Sequence, residues 1–276
     1  MNHLIVKRSD LRFAKDCLNA LRNTELNFLL IQNFFSEDEI VSLLNDLKAL
    51  PAAMLTTSKP GFNVFPRTAF SIANPDESVD VYFSSSGEET NKLKRLFAID
   101  VVKRFNDVFK ELNNMQPVEV LEGPRNNTKF IPVNFRIMNS DVGLKATSLI
   151  HNGSNVTARC ANTYQHLNGL MDFDNQLSFF SLLQNCFEGG DLTIYDFQRD
   201  QYPSLTDFRY LISQGNRIDL ENTSNKYTVH MNPGDLIIFP GGQLWHRVDV
   251  VKSGVRISLG GFAAIRYSDK TWRYWT

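Results

Sequence analysis

Two histidines, a glycine and an arginine stand at positions from which they could build a metal site. Gly153 follows His151 by two residues, and His246 and Arg256 come later in the chain. Non-haem iron oxygenases commonly hold Fe(II) with two histidines and one Asp or Glu, which leaves positions open for a cosubstrate and oxygen. A carboxylate two residues after a histidine would share its face of a strand. Since glycine stands there instead, the sequence predicts a two-histidine site with an open position.

The other histidines offer no better pair. None of the five histidines has Asp or Glu two residues later. His166 is expected to pack or cap within a helix, and His230 ends a predicted strand beside a turn. His246 is the stronger ligand candidate, because it follows a Pro-Gly-Asp strand and a Gly-rich turn. His151, at the predicted end of a strand, is its natural partner.

Arg256 and Ser258 could bind a carboxylate near this metal. Arginine offers a rigid fork that matches a carboxylate, and a serine two residues later lies on the same face of a strand. We expect a strand–turn–strand hairpin to bring Arg256 back alongside His246. Arg136, on a predicted strand, either faces the same cosubstrate or forms a structural salt bridge.

Composition limits the classes of function. The chain has 276 residues, a formal net charge of −1 and no basic stripe, so nucleic-acid binding has no electrostatic support. Three widely spaced cysteines without a C-x-x-C pair argue against a disulfide framework or a zinc site. No apolar run is long enough for a membrane span, and no signal-peptide core is visible. We therefore expect a cytoplasmic protein without an obligate protein partner.

Residues 1–116 predict a helical N-terminal extension. Residues 28–35 are typical of a short buried strand. Ser36 and Glu39 then form a capping box ahead of apolar residues at helical spacing, and Pro51 is expected to end that helix.

Two longer segments complete this extension. Residues 51–86 are rich in Pro, Ser and Thr with scattered aromatics, which is typical of an irregular connection that serves as a lid. Within it, residues 62–65 either belong to that lid or pack on the sheet. Apolar residues at helical spacing over 88–113 predict one long amphipathic helix.

Residues 117–276 predict a β core. A helix is expected within 157–171, and turn residues separate many of the short strands, as in a double-sheet jelly roll. The fold class is therefore mainly β with helices (α+β): a double-stranded β-helix, cupin-like, with N-terminal helices packed on it in one structural unit. The predicted strands are 118–121, 129–138, 147–151, 176–185, 191–197, 226–230, 235–239, 245–251 and 256–265.

The motifs of this C-terminal part resemble those of a known enzyme family. They are His151-Asn152-Gly153, Asn175 to Phe180, Gly189 to Leu192, Pro233 to Gly242, His246 to Val248, Arg256 to Phe262 and Arg273 to Trp275. Together they are similar to the Fe(II)/2-oxoglutarate-dependent halogenases of cyanobacterial ambiguine and welwitindolinone alkaloids, within the 2-oxoglutarate/Fe(II) oxygenase superfamily. The resemblance covers about residues 117–276.

The resemblance implies ligands for metal and cosubstrate. His151 and His246 would bind Fe(II). Arg256 would pair with the far carboxylate of 2-oxoglutarate, Ser258 could donate to the same carboxylate, and Arg136 could face it.

Gly153 and Ser178 would define the reactive position. The glycine would leave room on the metal for chloride, which replaces both the ligand and the charge of the missing carboxylate. Ser178 would lie near the iron and orient the groups bound there. The resemblance thus implies chlorination of an unactivated aliphatic carbon of a free-standing small molecule through an Fe(IV)-oxo chloride, with O₂ as cosubstrate. A lipophilic, indole-bearing natural product suits this family.

Two other functions fit the same residues. One is an Fe(II)/2-oxoglutarate-dependent hydroxylase or oxidative cyclase, in which water or a distant carboxylate such as Asp172 or Asp174 completes the site. The other is a non-catalytic jelly-roll binding module that has lost its metal. Arg256 and Ser258 argue against the second function, because a site that has lost its metal would have little need for residues that bind the carboxylate of a cosubstrate.

Overall fold

A computed structural model describes residues 1–68, 79–140, 150–153, 161–198 and 225–276. In these ranges the α-helices are α1 (Cys17–Arg22), α2 (Glu37–Lys48), α3 (Val79–Leu96), α4 (Val101–Leu112) and α5 (Ala161–Tyr164). The strands are β1 (His3–Lys7), β2 (Phe28–Gln32), β3 (Thr56–Lys59), β4 (Phe62–Phe65), β5 (Val118–Val120), β6 (Asn134–Asn139), β7 (Leu177–Gln184), β8 (Glu188–Gly189), β9 (Leu192–Gln198), β10 (Lys226–Val229), β11 (Leu236–Phe239), β12 (Leu244–Val248), β13 (Val251–Ser253), β14 (Val255–Ile265) and β15 (Trp272–Trp275). Short 3-10 helices cover Arg8–Ala14, Ala52–Met54, Gln165–Leu167 and Phe173–Asn175.

The described strands form two facing sheets and a separate two-stranded sheet. The larger sheet has the order β1-β2-β11-β7-β14-β6-β4-β3, with β15 pairing with β14 and with β5. The smaller sheet has the order β10-β9-β12, and β8 pairs with β13. Apolar side chains from both sheets meet in one buried cluster. This arrangement confirms the predicted double-stranded β-helix.

Alternation along the strands separates two cores. In β7, Phe180 and Leu182 pack toward the smaller sheet, whereas Phe179 and Leu183 belong to the core that the helices cover. Strands β2 and β11 follow the same pattern. Because successive side chains of a strand point to opposite faces, the larger sheet has an inner face toward the smaller sheet and an outer face under the helices.

The N-terminal part contributes more strand than the sequence predicted. The capping box of α2 is confirmed: Glu39 N–H donates to Ser36 Oγ, and Ser36 N–H donates to the Glu39 carboxylate at 2.9 Å. The helix ends at Lys48, ahead of Pro51. The strand expected within 28–35 is β2, and β1, β3 and β4, which were not predicted, also join the larger sheet.

The prediction of an irregular connection over 51–86 is wrong where the structure describes it. Strands β3 and β4 form a hairpin, β4 pairs with β6, and α3 begins at Val79. Residues 69–78 lie outside the described residues. The hairpin extends the sheet at an edge. Because its partner strand β6 lies far along the chain, no local sequence pattern predicted this pairing.

The prediction of one helix over 88–113 is also wrong. Helix α3 ends at Leu96, and α4 begins after Asp100, whose side chain accepts a hydrogen bond from Lys103 N–H at 2.9 Å. Such a cap satisfies a free backbone donor and favours a new helix start. The apolar period continues through the break because both helices pack on the same core.

The C-terminal elements follow the predicted strands with a few differences. Strand β6 begins only at Asn134, the predicted strand 245–251 is divided between β12 and β13, and β15 was missed. The helix expected within 157–171 is α5 followed by a 3-10 turn, with 154–160 outside the described residues. Residues 147–149 also lie outside them. No helix in the described part is long and apolar enough to cross a bilayer.

Candidate metal centre

A pocket of about 310 Å³ opens between the two sheets. The inner face of the larger sheet supplies most of its wall, and β9 and β12 supply the opposite side. Among the described residues, its lining includes two histidines and two arginines but no Asp or Glu. The lining residues are Phe62, Val64, Thr68, Asn134, Arg136, Met138, His151, Gly153, Ser178, Phe180, Leu192, Phe239, His246, Val248, Arg256, Ser258 and Phe262.

His151 and His246 are held side by side by their backbones. His151 N–H donates to His246 O at 3.0 Å, and His246 N–H donates to His151 O at 2.9 Å. Their ring centroids lie 4.4 Å apart, with the ring planes at 53°. Since a metal lies about 2.0–2.1 Å from an imidazole nitrogen, both rings could reach one ion.

His246 is prepared as a neutral ligand. Its Nδ1 lies 3.0 Å from Leu244 O, so this nitrogen carries the proton and Nε2 keeps its lone pair. Burial lowers the pKa of His246 well below its usual range, and the nearby His151 and Arg136 lower it further. A neutral imidazole is the form that binds metal.

A side chain at residue 153 would require neighbouring atoms to move. Its N–H donates to Gly241 O at 2.6 Å. A Cβ added to Gly153 would lie 3.3 Å from that oxygen, 3.2 Å from Cδ of Gln176 and closer still to Nε2 of Gln176. A Cβ added to Gly241 would lie 2.8 Å from Cβ of Ser178. We call this region, Gly153, Gly241 and the adjoining Gly242, the glycine end of the pocket.

Arg256, Ser258 and Arg136 form a second region, which we call the anion end. Arg256 is 2% exposed, its Nη1 donates to Ser258 Oγ at 3.2 Å, and its guanidinium carbon lies 5.0 Å from the centroid of the Phe180 ring. Ser258 is paired with Arg136 across β14 and β6. Ile257 packs in the core under the helices, so alternation turns its two neighbours into the pocket.

The anion end carries two positive charges. Among the described residues neither guanidinium forms an ion pair, although the charge of Asp191 acts on Arg256 and raises its pKa. Burial lowers the pKa of Arg256 to about 10. Burial, and then the charge of Arg256, lowers the pKa of Arg136 to about 10. Both guanidiniums are therefore charged at neutral pH. Arg136 Nε donates to Asn134 Oδ1 at 3.2 Å, and among the described residues it has no ion-pair partner, which argues against a structural salt bridge.

In the described part of the chain, three residues that line the pocket have a buried polar atom without a hydrogen-bond partner. These atoms are Nδ2 of Asn134, Oγ of Ser178 and Nε of Arg256. A buried donor without an acceptor costs about 1–3 kcal/mol, so each atom fits a bound group that offers an acceptor. The pocket therefore suits anionic ligands at both of its ends.

His246 and Arg256 reach the pocket from opposite sheets. The prediction of a hairpin that brings them side by side is wrong, because β12 pairs with β9 whereas β14 pairs with β6, β7 and β15. Residues 249–254, which include β13 and end at Gly254 with φ +85°, carry the chain from one sheet to the other. Both side chains nevertheless line the same pocket.

Two further histidines, His166 and His230, lie elsewhere. Nε2 of His166 lies 3.2 Å from Glu122 O, and its ring packs on Phe83. The side chain of His230 is exposed, with Nδ1 3.6 Å from a carboxylate oxygen of Asp191. Neither lines the pocket.

The carboxylates considered as replacements also lie outside the pocket lining. Asp172 is buried, and it accepts hydrogen bonds from Arg22 at 2.8 Å, from Asn175 at 2.9 Å and from Tyr267 at 3.2 Å. These partners hold it in a structural network. Asp174 does not line the pocket either. Within the described residues, no three His, Cys, Asp or Glu side chains cluster as metal ligands, so the residues present fit a metal held by two histidines.

The segment 62–65, which the sequence placed either in a lid or on the sheet, contributes to this pocket. Phe62 and Val64 line it from β4 while Phe65 packs in the core, so residues 62–65 both face the pocket and pack on the sheet. Gln176, which contacts the glycine end, was overlooked. No signal in the sequence connects it with Gly153.

Comparison with known proteins decides the family. Over residues 1–276 the chain matches the family described as carrier-protein-independent halogenase WelO5. The chain belongs to this halogenase family. Membership confirms the resemblance inferred from the motifs and extends it over the N-terminal part. It identifies an Fe(II)/2-oxoglutarate-dependent oxidoreductase that also uses chloride.

Solved structures share the fold. An N-substituted L-amino acid dioxygenase from Burkholderia ambifaria AMMD has a TM-score of 0.62 at 15% identity, over 94% of this chain and 90% of that chain. A structure of such a dioxygenase from the same organism in complex with alpha-KG has a TM-score of 0.60 at 14% identity, over 96% and 91%. At these identities the likeness concerns the fold alone. No curated protein sequence matches the chain.

Proposed function

We propose that this protein chlorinates an unactivated aliphatic carbon of a free small molecule, with Fe(II), 2-oxoglutarate, chloride and O₂. The observation that carries the proposal is Gly153 beside two paired histidines, in a pocket whose described lining contains no carboxylate. Membership of a carrier-protein-independent halogenase family supports a free-standing substrate.

His151 and His246 would hold the iron. The two backbone hydrogen bonds between them set their spacing before any metal binds. The hydrogen bond to Leu244 O leaves Nε2 of His246 as the donor atom. Because burial keeps this imidazole neutral, the metal does not have to displace a proton from it at neutral pH.

Arg256 would bind the far carboxylate of 2-oxoglutarate. Its Nε is buried and has no hydrogen-bond partner among the described residues, and a carboxylate would supply the acceptor. Ser258 lies 3.2 Å from its Nη1 and would donate to the same carboxylate. Arg136, which is paired with Ser258 across the sheet, adds a second positive charge against the dianion.

Gly153 and Ser178 would shape the place that chloride takes. Without a carboxylate at residue 153, no described side chain brings a negative charge to that part of the pocket. The hydroxyl of Ser178 is buried without a partner in the described ranges, and it would donate to a bound anion or oxygen.

When bound, iron with 2-oxoglutarate and O₂ supplies the oxidising power that removes a hydrogen atom from carbon, and chloride replaces that hydrogen. The chain's own residues position the substrate and exclude water. Phe62, Val64, Met138 and Phe262 form an apolar wall that suits a lipophilic molecule. Its fit decides the outcome, since a displacement of about 1 Å can change a rate about 100-fold.

The test is reconstitution of the full chain. Fe(II) and 2-oxoglutarate are added without oxygen, chloride is added next, and O₂ follows with a panel of free lipophilic indoles. We expect a visible metal-to-cosubstrate absorption band that chloride shifts, and products with the isotope pattern of chlorine. Hydroxylated products that do not depend on halide would support the hydroxylase instead. A pocket that binds neither metal nor cosubstrate would support the binding module.

A further inference from the structure

We infer that Asn134 also binds the cosubstrate, through an amide N–H that Thr276 and Arg136 orient. This inference rests on the proposed function, because it assigns Asn134 to the 2-oxo acid end of 2-oxoglutarate, opposite the carboxylate that Arg256 would bind. Asn134 would be a binding residue, and Thr276 would be a positioning residue that acts through it.

Asn134 has a buried donor that no described residue uses. The residue is 0% exposed, lies on β6 and lines the pocket. Its Nδ2 has no hydrogen-bond partner in the described part of the chain. The nitrogen of an amide side chain offers two N–H donors, and a buried donor left unpaired is unfavourable. The amide therefore fits an occupant of the pocket that presents an acceptor oxygen.

The oxygen of the same amide is held by two donors. Oδ1 of Asn134 accepts a hydrogen bond from Thr276 Oγ1 at 2.7 Å and another from Arg136 Nε at 3.2 Å. Because a guanidinium has only donors, turning the amide over would place its NH₂ group against the N–H of Arg136. The two hydrogen bonds therefore fix Oδ1 on one side of the amide and leave Nδ2 for a ligand.

Thr276 is itself held in place. It is 0% exposed, its N–H donates to Ile131 O at 2.8 Å, and its carbonyl oxygen accepts a hydrogen bond from the hydroxyl of Tyr82 at 3.5 Å. Thr276 does not line the pocket. Its hydroxyl should therefore affect a ligand in the pocket only through Asn134.

Strand register places Asn134 between the two ends of the pocket. Ser258 of the anion end and Gly260 share the inner face of β14, and Gly260 is paired with Asn134. The next residue of that face, Phe262, is paired with Ser178, which adjoins the glycine end. Asn134 therefore lies one step along the sheet from the anion end, toward the glycine end.

The length of 2-oxoglutarate matches this step. Successive residues on one face of a strand are about 6.6 Å apart. Four carbon–carbon bonds of about 1.5 Å join the five carbons of 2-oxoglutarate, so its carboxyl carbons are at most about 6 Å apart. With the far carboxylate at Arg256 and Ser258, the other carboxylate would lie level with Asn134 and could accept its N–H.

The first test is calorimetric titration of 2-oxoglutarate into the full-length protein loaded with Fe(II), without oxygen. Asn134→Ala should weaken binding about 10- to 100-fold, as expected for a lost hydrogen bond to a charged group. Asn134→Asp keeps an oxygen for Thr276 and Arg136 but replaces the N–H donor with a second oxygen, so its loss should be at least as large.

Asn139→Ala is the matched control for these variants. Asn139 lies on the same strand but outside the pocket lining, so this variant should bind 2-oxoglutarate as the wild type does. Wild-type affinity in either Asn134 variant would overturn the inference.

The second test is a double-mutant cycle, which measures whether two residues act through each other. Thr276→Val removes the hydroxyl at nearly constant volume and should weaken 2-oxoglutarate binding about 3- to 10-fold, as for a neutral hydrogen bond. Thr276→Ser keeps the hydroxyl and should restore the wild-type affinity. In an Asn134→Ala background, Thr276→Val should cause no further loss. A further loss of the same size would contradict the positioning role of Thr276.

Cosubstrate binding and chlorination are measured separately. If the affinities change as expected but no chlorinated product forms with O₂ and chloride, the proposed function fails and the role of Asn134 stands. If the protein chlorinates while the Asn134 variants bind 2-oxoglutarate like the wild type, the role of Asn134 is refuted and the proposed function stands.

Discussion

The two ends of the pocket are built on opposite principles. The anion end stands on β14 and β6, inside the larger sheet, and presents charged groups that are held by strand register. The glycine end is formed by glycines of two segments that lie against each other, and main-chain hydrogen bonds fix its shape. Under the proposed function, the cosubstrate would be selected by charge and the halide by available space.

The two ends also differ in how they affect the folding stability of the ligand-free protein. Buried guanidiniums without counterions are unfavourable, because desolvation of a charge must be offset by a partner. Glycines cost only backbone entropy, about 0.5–1 kcal/mol each relative to alanine in regular structure. A bound dianion should therefore stabilise the fold mainly through the anion end.

Loss of the metal ligand between the two ends should have the largest effect. His246→Ala removes the buried nitrogen donor, so we expect Fe(II) to bind at least about 100-fold more weakly, since even changes to groups that only support a ligand cost 10–100-fold. Anaerobic titration of the metal measures this. His230→Ala is the control, because the side chain of His230 is exposed and does not line the pocket. Unchanged affinity in His246→Ala would remove this histidine from the site.

The second-largest effect is expected when a positive charge is removed at the anion end. Arg256→Met should weaken 2-oxoglutarate binding by about 100-fold, because a buried charge pair is typically worth 2–5 kcal/mol on truncation. Calorimetry with the iron-loaded protein measures this loss. Fe(II) affinity without cosubstrate should stay the same, which separates the two ends.

Arg95→Met is the matched control for this substitution, because Arg95 pairs with Glu88 on the exposed face of α3. A change below about threefold in Arg256→Met would show that charge at this end does not select the cosubstrate, given the energies of such pairs.

Removing one hydroxyl at the same end should have a smaller effect. Ser258→Ala deletes a donor near the carboxylate, and a hydrogen bond to a charged group is worth about 1.5–3 kcal/mol. We therefore expect 2-oxoglutarate to bind roughly 10- to 100-fold more weakly, near the lower end if Arg136 compensates. Ser84→Ala on α3 provides the comparison, since its hydroxyl bonds only to Val81 O among the described groups.

The smallest expected effect is on stability as a function of pH in the metal-free protein. The folded-state pKa of His246 lies well below 6.5, so the unfolded chain takes up a proton first as pH falls. Its contribution to stability is complete above about pH 6.5 and is lost below it. We expect Tm to fall by an extra 2–4 °C per pH unit there, roughly. His246→Asn should remove this extra slope, and His230→Asn should retain it.

The sequence predicted features that depend on residues close together in the chain better than features that depend on residues far apart. The capping box of Ser36 and Glu39 is local, and it was predicted correctly. Strands were also predicted at 176–185 and 256–265, where β7 and β14 lie, and β7 has one face in each core. The hairpin at 56–65 was missed because its pairing with β6 is distant in sequence.

The site shows the same limit. Spacing drew attention to His151, Gly153 and Arg256, whose residue types carry recognisable chemistry. The proximity of Gln176 to Gly153 depends on two segments that only the fold brings together. The error about His246 and Arg256 has a similar origin, since a short connection can cross between sheets as well as form a hairpin.

The two backbone hydrogen bonds between His151 and His246 make the geometry of metal binding independent of the choice of substrate. The spacing of the two rings follows from backbone hydrogen bonds, which any amino acid except proline can make. The apolar wall, in contrast, consists of side chains such as Phe62 and Met138 on other strands. Substitutions in that wall can therefore alter which molecule is accepted while the metal-binding geometry is inherited unchanged.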